Sequence, residues 1–102
     1  MSEKVVRLLG LGVRAGRGRV VVGVAGVRAQ LQRDALRCVV LARDASGRTL
    51  EKVERLARAR GVPIVRGPGA SELGAGLGRP PVQAVGVADA ALARGLVGSL
   101  EA

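Results

Sequence analysis

The apolar positions of the chain fall into short continuous runs that alternate with stripes at helical spacing. Val20-Val21-Val22 reads as a short strand closed by Gly23. From Val24 to about Arg33, Val24, Val27 and Leu31 recur as one face of a helix. Leu36-Arg37-Cys38-Val39-Val40-Leu41-Ala42 is nearly unbroken in its apolarity, the pattern of a central strand covered on both faces. After an exit loop, Arg43–Gly47, the clearest helix is expected over about Arg48–Arg60, with Leu50, Val53, Leu56 and Ala57 inward. Glu51–Arg55 and Glu54–Arg58 are i,i+4 pairs along it, and Gly61 and Pro63 stop it. Val62-Pro63-Ile64-Val65-Arg66 is a short strand, and Gly67-Pro68-Gly69 turns the chain. Ser71 is expected to cap a short helix through Glu72, Leu73 and Leu77 that ends at Gly78. Arg79-Pro80-Pro81 is a stiff loop into a last strand, Val82–Ala88. Asp89 then caps a helix over about 90–100, with Leu92, Leu96, Val97 and Leu100 inward. At the start, Ser2 is placed to cap a helix over roughly 3–15, with Val5, Leu8 and Leu9 on one face and Gly16 as its stop.

The resulting order, α-β-α-β-α-β-α-β-α, has strands and helices in alternation. Such a chain covers a sheet on both faces, so the expected class is α/β, a three-layer α/β/α sandwich around a mostly parallel or mixed sheet. At 102 residues, with neither repeat nor linker, residues 1–102 are expected to form one domain.

Composition narrows the chemistry mainly by what is missing. Without histidine there is no histidine-dependent triad, no histidine metal site and no imidazole acid–base work. The single cysteine, Cys38, rules out thiolate zinc clusters and reads as a core residue. Asp44 and Asp89 read as turn or cap residues rather than catalytic acids. No nucleophile has a base beside it, so no enzyme, no cofactor and no metal are expected. No run approaches a membrane span, and Arg7 interrupts the N-terminal apolar residues, so neither a membrane segment nor a signal peptide is expected and the cytoplasm is the expected compartment.

Charge adds a partner class. The formal net charge is +9, and it is skewed: residues 1–48 hold ten basic and three acidic side chains, residues 49–102 seven and five. A GC-rich coding bias would raise Arg, Gly, Ala and Val together, but it does not account for the N-terminal skew. An uneven cationic surface suits a polyanion, whose neutralised phosphates release counterions. With no Phe, Tyr or Trp, aromatic base stacking is excluded. A nucleic acid would have to be held by arginine, backbone N–H groups and apolar contacts. The stretch Arg14–Arg28 has those parts: Arg14, Arg17, Arg19 and Arg28 interleaved with Gly16, Gly18, Gly23 and Gly26. A competing reading comes from Gly10-Leu11-Gly12-Val13-Arg14-Ala15, which matches the G-x-G-x-x-A dinucleotide fingerprint. The fingerprint should open a long helix, whereas a loop and a strand follow here.

An ordered set of segments resembles the kink-turn-binding ribosomal-protein superfamily of the L-seven-Ae and L-thirty-e type, and most closely its small bacterial YlxQ-type branch. The segments are Leu8-Leu9-Gly10-Leu11, Arg14-Ala15-Gly16, Val21-Val22-Gly23, Leu36–Ser46, Gly61-Val62-Pro63-Ile64, Ser71-Glu72-Leu73-Gly74, Gly78-Arg79 and the strand from Val82, and together they span about residues 5–90. The resemblance implies a four-stranded mixed sheet and no catalytic activity. It also implies binding of structured RNA, ribosomal RNA being the expected kind, through the end of the first strand, the following helix start and the loop before the last strand. Carried onto this chain, those regions are Gly23–Arg28 and Gly78–Gln83, with Gly23, Val24, Ala25, Arg28, Arg79, Pro80, Pro81 and Val82 as the expected contacts. Archaeal members of the superfamily carry Gly-x-Asn-Glu-x-x-Lys at the helix start. Aligned on Gly23, this chain has Ala25, Gly26 and Ala29 at the Asn, Glu and Lys positions, with Arg28 one residue from the lysine. Groups for gripping phosphate are present, and groups for reading guanine edges are missing.

Two readings follow. The first is a non-catalytic protein that binds structured RNA through an Arg/Gly edge and a helix start. The second is a nucleotide-binding or protein-interaction module that keeps the fold without the RNA.

Overall fold

In the computed structural model of the chain, residues 20–101 are described, with side chains as far as residue 98. The expected helix over 3–15, the dinucleotide-like Gly10–Ala15 and the residues Arg14, Arg17 and Arg19 lie outside that range. Among the described residues four strands, β1 (Val20–Val22), β2 (Cys38–Leu41), β3 (Ile64–Arg66) and β4 (Ala84–Val87), make one sheet in the order β1-β4-β2-β3. β4 pairs antiparallel with both β1 and β2, and β2 pairs parallel with β3, so the sheet is mixed. The apolar run expected to be central is central, and all four residues of β2 are buried.

Strand alternation divides these residues between two cores. Cys38 and Val40 of β2, with Val85 and Val87 of β4, face Leu73, Ala93 and Leu96 on one side. Val39 and Leu41, with Ala84, face Val27, Leu31, Val53 and Ala57 on the other. The second face is covered by α1 (Val24–Gln32) and by a continuous helix over residues 47–59, called α2. The first face is covered by α3 (Ala70–Gly76) and α4 (Ala90–Glu101). The α/β/α sandwich expected from the alternation of elements is the architecture observed.

Local chemistry explains most element ends. Gly61 and Gly78 terminate α2 and α3 with φ of 66° and 69°, the left-handed conformation that glycine adopts without a steric penalty. Asp89 caps α4 as expected, its Oδ1 accepting from Leu92 N at 2.9 Å. The i,i+4 pairs of α2 form as well, Arg58 to Glu54 at 2.6 Å and Arg55 to Glu51 at 3.8 Å.

Three features depart from the expectation. Ser71 does not cap α3: Gly69 is the N-cap, and the capping acceptor is Asp44 Oδ1, which takes the Ala70 N–H at 2.7 Å from 26 residues away. α2 starts one residue early because Ser46 Oγ accepts from Thr49 N at 3.2 Å, which caps the helix ahead of Gly47. Its middle, Leu50–Glu54, opens into a wider π-type turn, which apolar periodicity does not encode.

Candidate nucleic-acid interface

Strand register sorts the loops into two ends of the molecule. Val22, Ala84 and Leu41 lie together at one end of the sheet, and Val20, Val87 and Cys38 at the other. The first end therefore gathers Gly23 and the start of α1, the β2–α2 loop with Ser46, the β3–α3 turn and the segment that leads into β4.

At this end the two regions expected to act together are joined directly. Gly23 N donates to Ala84 O at 2.9 Å, which sets the start of α1 beside the 79–83 segment. Gly23 has φ 105° and ψ 152°, a backbone state that favours glycine, and it turns the chain from strand into helix in a single residue. α1 has no side-chain cap and no acidic residue in its first turn, so its leading N–H groups and partial positive charge meet no carboxylate of the helix itself. Val24 is half-buried and Ala25 exposed.

The facing loop is built rather than loose. Gly74 of α3 lies so close to the chain at Arg79 and Pro80 that a Cβ there would fall on the Pro80 carbonyl. Arg79 N donates to Gly74 O at 2.8 Å, and Val82 N to Ala70 O at 3.0 Å. Arg79, Pro80 and Pro81 are exposed along this path. Val82 is only 7% exposed and joins the core around Leu73, so it anchors the loop from beneath. Gln83 continues the framework: its Oε1 accepts from Ser46 N at 3.0 Å and its backbone oxygen from Ala42 N at 2.9 Å.

Arg28 takes a different direction. It is half-buried and lines a groove between α1 and α2, where its Nε is shielded from solvent and meets no acceptor. Gly26, which stands where the archaeal pattern has a guanine-reading Glu, packs against β1. A Cβ at that position would come within 2.6 Å of Val21 Cγ1, so this helix face is closed onto the sheet. Arg37, at the start of β2, is exposed and sits at the end of the sheet opposite Gly23.

Gln83, Ser46 and Gly74 hold this framework without being among the contact residues expected from the sequence. A serine directly before a helical stripe is a readable cap signal. Gln83 and Gly74 carry no such signal, because their partners are 37 and about six residues away in a geometry set by the fold.

Among the described residues no cluster of acidic, cysteine or histidine side chains could hold a metal ion, and no helix is long and apolar enough to cross a membrane. Burial pushes the Cys38 thiol up to about 12.

The sequence model of the ribosomal protein L7Ae/L30e/S12e/Gadd45 family matches residues 8–97. The chain belongs to this family. Among solved structures it is similar to a protein of unknown function from Bacillus halodurans, with a TM-score of 0.89 at 26% identity over 97% of this chain and 98% of that one. It also shares its fold with a Giardia lamblia 15.5kD RNA-binding protein, with a TM-score of 0.78 at 21% identity over 98% of this chain and 87% of that one. No curated protein sequence matches it. The family match includes both the Gly23 helix start and the 79–82 loop, so the end of the sheet described above lies wholly within the family fold.

Proposed function

We propose that this protein is a non-catalytic, cytoplasmic binder of structured RNA, and that Gly23, Val24 and Ala25, with the Arg79-Pro80-Pro81 loop, form its contact end, while Arg28 reaches the RNA from the adjoining groove. The observation that carries this reading is the Gly23 N to Ala84 O hydrogen bond, which places an uncapped helix start beside an exposed, proline-stiffened basic loop. Free N–H groups at a helix start suit a phosphate, and a pre-stiffened loop loses little entropy on contact. Val82 serves the end from inside by anchoring the loop. Family membership supports RNA as the partner, and so does the fold shared with the Giardia lamblia RNA-binding protein. Arg14, Arg17 and Arg19 belong to the proposed surface on charge alone.

The side chains at the helix start determine what kind of recognition is available. Ala25 and Gly26 offer no polar group to a base edge, so the contact is read through phosphate position and RNA shape. A kink-turn would be bound as a bent backbone, with ribosomal RNA the expected source.

Crosslinking in cells with sequencing of the bound RNA tests the class. Recovery of one structured ribosomal region supports the reading, and recovery of nothing above background overturns it. In vitro, Arg17→Ala/Arg19→Ala/Arg28→Ala is expected to weaken binding of that RNA by at least tenfold and to flatten its salt dependence by about one unit of slope for each phosphate no longer neutralised. Full binding by the triple variant would remove these arginines from the surface. A rise in melting temperature with NAD or ATP, without any RNA binding, would favour the nucleotide module instead.

A further inference from the structure

We infer that the groove between α1 and α2 is a second RNA-backbone site, a track that receives the phosphates of a helical arm leaving the contact end. This inference rests on the RNA-binding reading above.

The two helices start at the same end of the sheet and run side by side to the other. There Arg60, just past α2, pairs at 3.1 Å with Asp34, just past α1. Between them lies an open groove of about 520 Å³ lined by Arg28, Arg48, Glu51, Lys52, Arg55 and Leu56. Among the described residues, four cationic side chains therefore share the groove with one carboxylate, and that carboxylate, Glu51, sits 3.8 Å from Arg55.

Elsewhere on the surface several arginines have acidic partners: Arg43 has Glu72, and Arg58 and Arg66 share Glu54. Among the described residues Arg28, Arg48 and Lys52 enter no ion pair. The Arg28 Nε–H is shielded from water and bonded to nothing, and a small shift of its guanidinium onto a phosphate oxygen would satisfy it. Glu51 and Lys52 stand on the wide turn Leu50–Glu54, a distortion of the kind found at functional positions in helices.

Geometry favours a backbone over a single anion. Arg48 to Arg55 spans about 10 Å of helix at 1.5 Å per residue, so the charges form a row. That row begins near the α1 start and leads away from it. Duplex RNA presents its phosphates in rows, and contact with them requires no base-reading side chain.

The test uses the full chain and two bulged RNA stems, identical except that one flanking arm is shorter than half a helical turn and the other longer than a full turn. The wild type is expected to bind the long-arm RNA more tightly, with a steeper salt slope. Arg48→Ala/Lys52→Ala is expected to lower long-arm affinity roughly tenfold and its slope by about 2, leaving short-arm binding and the melting temperature unchanged. Glu51→Gln, which removes the one carboxylate, is expected to tighten long-arm binding. Equal loss on both RNAs, loss on neither, or no response to Glu51→Gln overturns the groove assignment while leaving the contact end intact. Binding of poly-glutamate in place of any arm-length effect overturns it in favour of an acidic protein partner. Absence of binding to either RNA overturns the groove and the RNA reading together.

Discussion

Single residues hold the contact end in shape, and glycine does so by having no side chain. Gly74 allows the 79–80 segment to lie directly on α3, against a backbone carbonyl that cannot rotate aside. Gly74→Ala is therefore expected to lower stability by about 1–3 kcal/mol, despite its better helix propensity, and to weaken RNA binding by displacing Arg79 and Pro80. Gly98→Ala in α4 meets open space, so the same substitution there should raise stability by up to about 1 kcal/mol. Thermal melts of the two variants, moving in opposite directions, check the pair of expectations. Little of the Gly74 role is visible in the sequence. A glycine inside a short helical pattern reads as a weak spot until a second chain segment is seen crossing it.

At the level of elements, apolar periodicity carried nearly everything that concerns which segments are helices and which are strands. It located β1, the buried run of β2, the i,i+4-braced α2 and the Asp89 cap of α4, because each depends on residues within about four positions of one another. It failed at the start of α3. The nearby Ser71 was the obvious local cap, yet the acceptor is Asp44 from the β2–α2 loop. That contact ties two neighbouring loops of the contact end together, and Arg43 adds to it by reaching Glu72 of α3 at 3.6 Å. Asp44→Ala is expected to cost about 1 kcal/mol, as loss of a helix cap does, and Asp44→Asn, which keeps an acceptor, should cost less. Urea denaturation of the two variants measures the difference, whereas Ser71→Ala should leave the midpoint unchanged.

For the whole molecule, Cys38 reports on the integrity of the sandwich. It lies fully buried in the central strand, with its thiol raised from 9.0 to about 12 by desolvation. The folded state therefore keeps a proton that the unfolded chain gives up at lower pH. The Cys38 thiol should add no pH dependence to stability below about pH 9, and stability should fall as the pH rises from 9 towards about 12. Cys38→Ala is expected to remove that part of the pH slope, which denaturation curves at several pH values would show. The excess of cations, the lack of aromatic residues and histidine, the alternation of strands and helices and the core stripes were all determined by the sequence alone. They follow from composition and from spacing along the chain. Only the tertiary structure decided that Gly23 meets the segment before β4, that Val82 is an anchor, and that Arg28 turns into a groove shared with Arg48 and Lys52. Each of those facts depends on strand order and on how two helices lie side by side. Periodicity shows which face of a helix is buried, but not which other helix runs along its edge.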